Sequence, residues 1–213
     1  MKGYLRNHLF WPTMLLVLAS FSYADKGPKL LKVGKSAPLQ DYAMNGIDGS
    51  SATLKSLKGD KGLLVVFSCN TCPFVVGAEK FPGWEVQYNP INDLALSNGV
   101  KMVLINSNEA KRGGDDAMDA MKKRSEEKGY TMPYLVDTDS KLADAFGART
   151  TPHVYLFDSG MKLVYTGSID NTWDSKRTED IPHLKNALTS LGKGEKIKAH
   201  TTDPRGCSIK RKQ

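Results

Sequence analysis

Residues 62–74 read Gly-Leu-Leu-Val-Val-Phe-Ser-Cys-Asn-Thr-Cys-Pro-Phe. Leu63 to Phe67 is a continuous apolar run of strand length. Such a run suits a strand buried on both faces, as in a sheet covered by helices. Cys69-Asn70-Thr71-Cys72 follows directly, and Pro73 is acceptable in a first helical turn. Two thiols three residues apart across such a turn reach each other and close a disulfide. The first thiol is placed at the helix N-terminus, where unpaired N–H groups and the positive end of the dipole favour its thiolate. The thiolate is the attacking species in thiol–disulfide exchange. The stretch therefore predicts Cys69 as nucleophile. Cys72, one turn into the helix and more buried, is predicted to resolve the mixed disulfide.

Outward from this stretch the pattern alternates between strands and helices. Phe74, Val75, Ala78 and Phe81 keep helical spacing until Pro82-Gly83, and Ile91, Leu94 and Ala95 resume it. Val100 to Ile105 is a second apolar strand, ending at Asn106-Ser107-Asn108. A helix is predicted over 115–128, with Met118 and Met121 on its inner face. Tyr134 to Val136 is a short strand, and Leu142, Ala143 and Phe146 form a one-sided helix capped by Gly147. Val154–Phe157 and Leu163–Thr166 flank Asp158-Ser159-Gly160, a hairpin signal. Leu184, Ala187, Leu188 and Leu191 give a last amphipathic helix ending at Gly192. Upstream, Asn45-Gly46 and Asp48-Gly49 mark an irregular hairpin region over 36–56. Strand, crossover and strand predict an α/β fold with a central mixed sheet and helices on both faces. The strand-to-helix junctions lie at the carboxyl edge of the sheet, where open α/β folds place their sites. Cys69 and Asn108 both fall there, Asn108 either lining the site or making an ordinary turn.

The ends have other roles. Lys2 and Arg6 precede an apolar run from Leu9 to Phe21, and Ser22-Tyr23-Ala24 supplies small residues at the cleavage positions. Residues 1–24 are expected to be a secretory signal, since the run falls short of the ~20 residues a spanning helix needs. The mature protein is then exported, periplasmic or otherwise extracytoplasmic, with no membrane span after cleavage. Residues 25–192 form one domain, and residues 193–213 form a basic tail that includes Cys207. The formal charge of +7 is concentrated towards that tail. No basic stripe interleaves with aromatics on a regular element, so a solvated tail is the better reading and nucleic acid is not an expected partner. Three cysteines are too few for a disulfide scaffold, and their odd number leaves one thiol over. Cys207 is a third redox thiol that attacks the Cys69–Cys72 disulfide, a link between two chains, or idle.

Thr151-Pro152 stands at the head of the strand that starts at Val154. Proline is unusual there, and a cis Thr151-Pro152 bond would account for it. These pieces together carry a resemblance. The strand Leu63–Phe67, Cys69-Asn70-Thr71-Cys72-Pro73-Phe74, Asn106-Ser107-Asn108, Pro133-Tyr134-Leu135, Thr151-Pro152-His153 and Gly206-Cys207-Ser208-Ile209-Lys210 resemble the thioredoxin-like superfamily. Within it they are similar to the redoxin (alkyl hydroperoxide reductase/thiol-specific antioxidant) branch, and to bacterial exported proteins with a Cys-Asn-x-Cys-Pro motif. The resemblance implies a thioredoxin-like fold and a thiol–disulfide oxidoreductase that needs no cofactor. It implies a protein thiol or disulfide as substrate and a redox partner protein. It also implies that Thr151 and Pro152 hold the extended backbone of a substrate.

Three departures from the family pattern stand out. Ser68 precedes Cys69 where thioredoxin has an aromatic residue, and Asn70-Thr71 replaces Gly-Pro. The apolar strand offers no counterpart to thioredoxin's buried carboxylate, so deprotonation of Cys72 is left to water or a more distant acid. Peroxiredoxins carry proline seven and threonine or serine three residues before their reactive cysteine, positions held here by Gly62 and Val66. Two alternatives stay open beside exchange. One is a peroxide-reducing antioxidant that uses Cys69 atypically. The other is a copper or zinc carrier using Cys69 and Cys72, with His153 as the best extra ligand. His153 also reads as an ordinary residue at the rim, and Trp84 and Trp173 as packing or rim residues.

Overall fold

A computed structural model describes residues 28–212. The chain runs β1 (Met44–Gly46), β2 (Ser51–Ala52), α1 (Leu54–Leu57), β3 (Gly62–Ser68), α2 (Pro73–Val76), α3 (Tyr88–Ser97), β4 (Val100–Asn106), α4 (Met118–Lys128), β5 (Tyr134–Val136), α5 (Lys141–Phe146), β6 (Thr150–Thr151), β7 (His153–Asp158), β8 (Leu163–Gly167), α6 (His183–Lys193) and β9 (Cys207–Ser208). Seven strands form one sheet in the order β2-β1-β5-β4-β3-β7-β8. β3, β4 and β5 are parallel, as the crossovers require, while β7 runs antiparallel to β3 and β8 antiparallel to β7. The expected mixed α/β sheet is therefore present, with β3 at its centre.

Alternation along β3 sorts the core onto two faces. Leu64 and Val66 face α3 and α6, joining Ile91, Ala95, Leu184 and Leu188, and the same cluster takes in Cys69 and Cys72. Leu63, Val65 and Phe67 face α5, joining Leu142, Ala143 and Phe146. Every residue of β3 is buried, which is why its sequence shows no polar alternation. Among the described residues no buried side-chain nitrogen or oxygen lacks a hydrogen-bond partner. None of their helices is long and apolar enough to cross a membrane.

Several local expectations change. The helix read through Phe81 is a single turn, because Gly77 leaves helical space at φ 100° and the chain folds back to Gly83 at φ 78°. A Cβ on Gly77 would lie 2.7 Å from the Pro82 carbonyl oxygen. The Phe74–Phe81 spacing is satisfied instead by a loop that packs both rings on Trp84. The helix predicted from Asp115 starts at Met118, since Asp116 turns inward. The last helix continues through Gly192 to a left-handed cap at Gly194. Gly192 lies where any side chain would collide with Asn98, at the end of α3. Thr53 and Ser56 cap α1 reciprocally inside the stretch expected to be irregular. Of the two turn dipeptides upstream, Asp48-Gly49 makes the turn and Asn45-Gly46 lies in β1.

The largest departure is the tail. His200 and Thr202 bond to the backbone of Thr166 on β8. β9 then pairs antiparallel with β6, placing Thr151 opposite Cys207 and Thr150 opposite Ser208. Ile209 is buried in the α5-side core. Arg211 donates to Asp144 at 2.6 Å and to the Ala148 carbonyl at 2.7 Å. This end of the chain is part of the fold, held by backbone pairing and the buried Ile197 and Ile209. The expected signal, residues 1–24, lies outside the described residues.

Candidate active site

β3 delivers Cys69 to the carboxyl edge of the sheet. Cys69 and Cys72 are free thiols, each 3 % exposed. The expected order along the helix is corrected here. α2 begins at Pro73, so Cys72 is its N-cap and Cys69 precedes the helix altogether. Thr151 meets both sulfurs. Its Oγ1 lies 3.0 Å from Cys69 Sγ, and its carbonyl oxygen accepts from Cys72 Sγ at 3.0 Å. The Thr151-Pro152 bond is cis, as the sequence suggested.

The two thiols influence each other's ionisation. Cys72 is held down to about 5, first by the Cys69 thiol. The Cys207 side chain and the backbone N–H groups of Cys207 and Phe74 add to this against the cost of burial. Cys69 is pushed up by Cys72 and then by burial, against the Thr151 hydroxyl and the Thr71 N–H. The helix N-cap belongs to Cys72, not to Cys69 as the sequence predicted, although the Cys72 sulfur makes no capping bond. Cys207 closes the array: its N–H donates to Cys72 Sγ at 3.2 Å, and burial, then Cys72, pushes its own thiol up to about 11.

Behind the loop lies a polar clamp that the sequence did not reveal. Asp116 is fully buried and accepts from the Asn70 N–H at 2.9 Å, from Asn106 Nδ2 at 2.7 Å and from Asn108 Nδ2 at 3.0 Å. Tyr134 Oη takes a bond from Asn106 Nδ2 and donates to Asn70 Oδ1. Asn108 Oδ1 in turn accepts from the Lys210 N–H at 2.9 Å, tying clamp to tail. Asn108 thus supports the site from behind and does more than make a turn. The carboxylate missing from β3 is supplied at the loop's backbone by Asp116, from the segment before α4.

The remaining candidates separate from the sulfurs. His153 is buried in the core, between Tyr155 at 3.4 Å and Thr166 at 3.3 Å, so neither a rim position nor a ligand role fits it. Trp84 is fully buried and donates to Asp170 at 2.8 Å. Trp173 stacks under the Arg205 guanidinium, 4.2 Å from the ring centre, at the start of the tail strand. Among the described residues no group of three or more His, Cys, Asp or Glu is disposed to hold a metal ion.

Comparison with known proteins agrees with this geometry. A solved structure of an uncharacterised conserved protein from Geobacillus kaustophilus superposes with a TM-score of 0.76 at 32% identity, covering 86% of this chain and 94% of that one. A structure from Sinorhizobium meliloti 1021 gives a TM-score of 0.72 at 26% identity, covering 86% and 97%. In sequence, the chain is 26% identical over 141 residues to the thiol-disulfide oxidoreductase ResA of Bacillus subtilis (strain 168), covering 65% of this chain and 68% of the relative. The Redoxin family model matches residues 32–188, from before β1 to within α6. A strand-delivered cysteine pair beside a cis-proline loop, on this sheet and under that match, places the chain in the Redoxin family, a branch of the thioredoxin-like superfamily.

Proposed function

We propose that this protein is an extracytoplasmic thiol–disulfide oxidoreductase working through the Cys69/Cys72 couple. The observation that carries the reading is the pair of free thiols held against Thr151. The B. subtilis relative carries the same activity in its name. In the reducing direction one thiolate attacks a sulfur of the substrate disulfide. A mixed disulfide forms and the first substrate thiolate leaves. The second cysteine then attacks the enzyme sulfur, and the Cys69–Cys72 disulfide forms as the second substrate thiolate leaves. Two electrons pass from enzyme to substrate, and the reverse sequence oxidises a dithiol.

Cys69 is assigned the attack on the external disulfide, and Cys72, which accepts the Cys207 N–H, the resolving step. The Thr151 hydroxyl and the Thr71 N–H favour the charged form of Cys69 as it loses its proton to attack. The apolar run before Ala24 supports export, and a mature N-terminus at Asp25 in protein from its native source tests that part. The activity is tested by redox titration with thiol trapping and mass readout. A reversible two-electron couple on Cys69 and Cys72 is expected. A potential near roughly −270 mV assigns a reductant, and one near about −120 mV an oxidant. Absence of any reversible couple would sink the reading. Cys72→Ser should accumulate a mixed disulfide at Cys69.

A further inference from the structure

The carboxyl-terminal strand lies along the same Thr151 backbone edge that the exchange reading gives to a substrate. Its register sets Cys207 opposite Thr151. Gly206 makes the approach possible: a Cβ there would lie 2.2 Å from the Thr151 carbonyl oxygen. The strand is anchored on both sides of Cys207. Arg205 stacks on Trp173 before it. After it, the Ile209 N–H bonds to Arg149 O, the Lys210 N–H to Asn108 and Arg211 to Asp144. The sulfurs are also ordered. Cys72 Sγ accepts the Cys207 N–H at 3.2 Å and lies on the Thr151 carbonyl, whereas Cys69 lies on the Thr151 hydroxyl. Cys72 is therefore the central sulfur of three.

We propose that the docked tail is an internal substrate, and that Cys207 exchanges with Cys72 to move the disulfide from Cys69–Cys72 to Cys72–Cys207. The proposal rests on the exchange activity of the Cys69/Cys72 couple. The step is isoelectronic. Cys207 loses its proton and attacks Cys72 Sγ, and the Cys72–Cys207 bond forms as the Cys69–Cys72 bond breaks. The electron pair leaves on Cys69 Sγ, which receives the Thr151 hydroxyl at 3.0 Å and takes up the proton. Oxidation of Cys72 removes the negative charge that now disfavours a Cys207 thiolate, while Lys210 continues to favour it. An external substrate that uses the Thr151 edge must then displace this strand.

The test is disulfide mapping of the purified protein, oxidised with glutathione disulfide, quenched in acid, alkylated and digested with trypsin. The two modes separate cleanly. Cys69–Cys72 closes within the peptide Gly62–Lys80, whereas Cys72–Cys207 joins that peptide to Gly206–Lys210. Wild type should yield both products, and Cys69→Ser should give the joined peptide in monomeric protein. Arg211→Ala, remote from the sulfurs, removes two hydrogen bonds that hold the tail and should cut the joined fraction by at least about fivefold, leaving the Cys69–Cys72 product in place. If folded Cys69→Ser carries only glutathione on Cys72, or if Cys72→Ser joins Cys69 to Cys207 as readily, the proposal is overturned. A wild type with a reversible Cys69–Cys72 couple but no joined peptide overturns this inference alone. Loss of the couple itself overturns the proposed function.

Discussion

Acid should unfold this protein through His153, and the size of the effect follows from its surroundings. The ring is fully buried beside β8, and burial, then the nearby Arg149 charge, lowers its pKa to about 3 from an ordinary 6.5. The Arg149 N–H points at Nδ1 from 3.4 Å, so that nitrogen is the acceptor and protonation there opposes a donor to a donor. Above about pH 6.5 the ring is neutral whether folded or unfolded, and stability does not depend on it. As pH falls below that value the unfolded chain binds a proton that the folded chain refuses. Stability then falls by about 1.4 kcal/mol per pH unit until the folded ring protonates near pH 3. The full loss is of order 5 kcal/mol, comparable with the whole stability of a small domain. The assay is urea unfolding of wild type and His153→Gln at several pH values. Carboxylates titrate alike in both proteins, so the difference isolates the ring. The variant should be the less stable at about pH 7.5, and its deficit should shrink by about 2.7 kcal/mol on reaching about pH 4.5. Stability curves that stay parallel between those values would refute the account.

Asp116→Ala leaves three buried N–H donors without an acceptor, at about 1–3 kcal/mol each. The urea midpoint should fall steeply with the slope unchanged, and alkylation of Cys69 should quicken as the loop loosens. Gly206→Ala drives a Cβ into the Thr151 carbonyl and should lift the tail strand. Cys72 then loses its Cys207 donors, and the pH of half-maximal thiolate reactivity should rise from about 5 towards the ordinary cysteine range; an unshifted profile would show that the tail donors do not hold the thiolate. Gly77→Ala forces a side chain to φ 100° against Pro82. It should cost about 1–3 kcal/mol and lower Tm.

What the sequence made legible is what side-chain pattern alone controls. β3 is buried throughout and β4 at every position but Lys101, so both announce themselves as apolar runs, and the CxxC follows at the end of β3. The loop after α2 misled because a helix and a folded-back loop both bury Phe74 and Phe81, and only the positive φ at Gly77 and Gly83 separates them. Asp116 was invisible because its partner Asn70 lies 46 positions away, and nothing local marks a carboxylate as buried. The tail was misread for the same reason. Its basic residues look solvated, while its docking rests on backbone pairing, a glycine at Gly206 and the buried Ile197 and Ile209. Cys69 was placed at the helix N-terminus on the assumption that the helix begins there, and a start later by one turn makes Cys72 the N-cap.

Thr151 is the residue on which these strands of argument meet, and its contacts are separable. Its hydroxyl touches Cys69, its carbonyl touches Cys72, and its backbone pairs with Cys207. Thr151→Val keeps the branched shape and both backbone contacts and removes only the hydroxyl. Cys69 then loses a donor that favours its thiolate, so its attack on an external disulfide should slow by roughly tenfold to a hundredfold, the worth of one hydrogen bond to a charged group. Cross-linking of Cys72 to Cys207 in a Cys69→Ser background involves neither the hydroxyl nor Cys69, and should be unchanged. Slowing of both reactions together would show that the valine disturbs the loop as a whole. Slowing of the first alone would show that one residue serves two exchanges, by its side chain for the external substrate and by its backbone for the internal one.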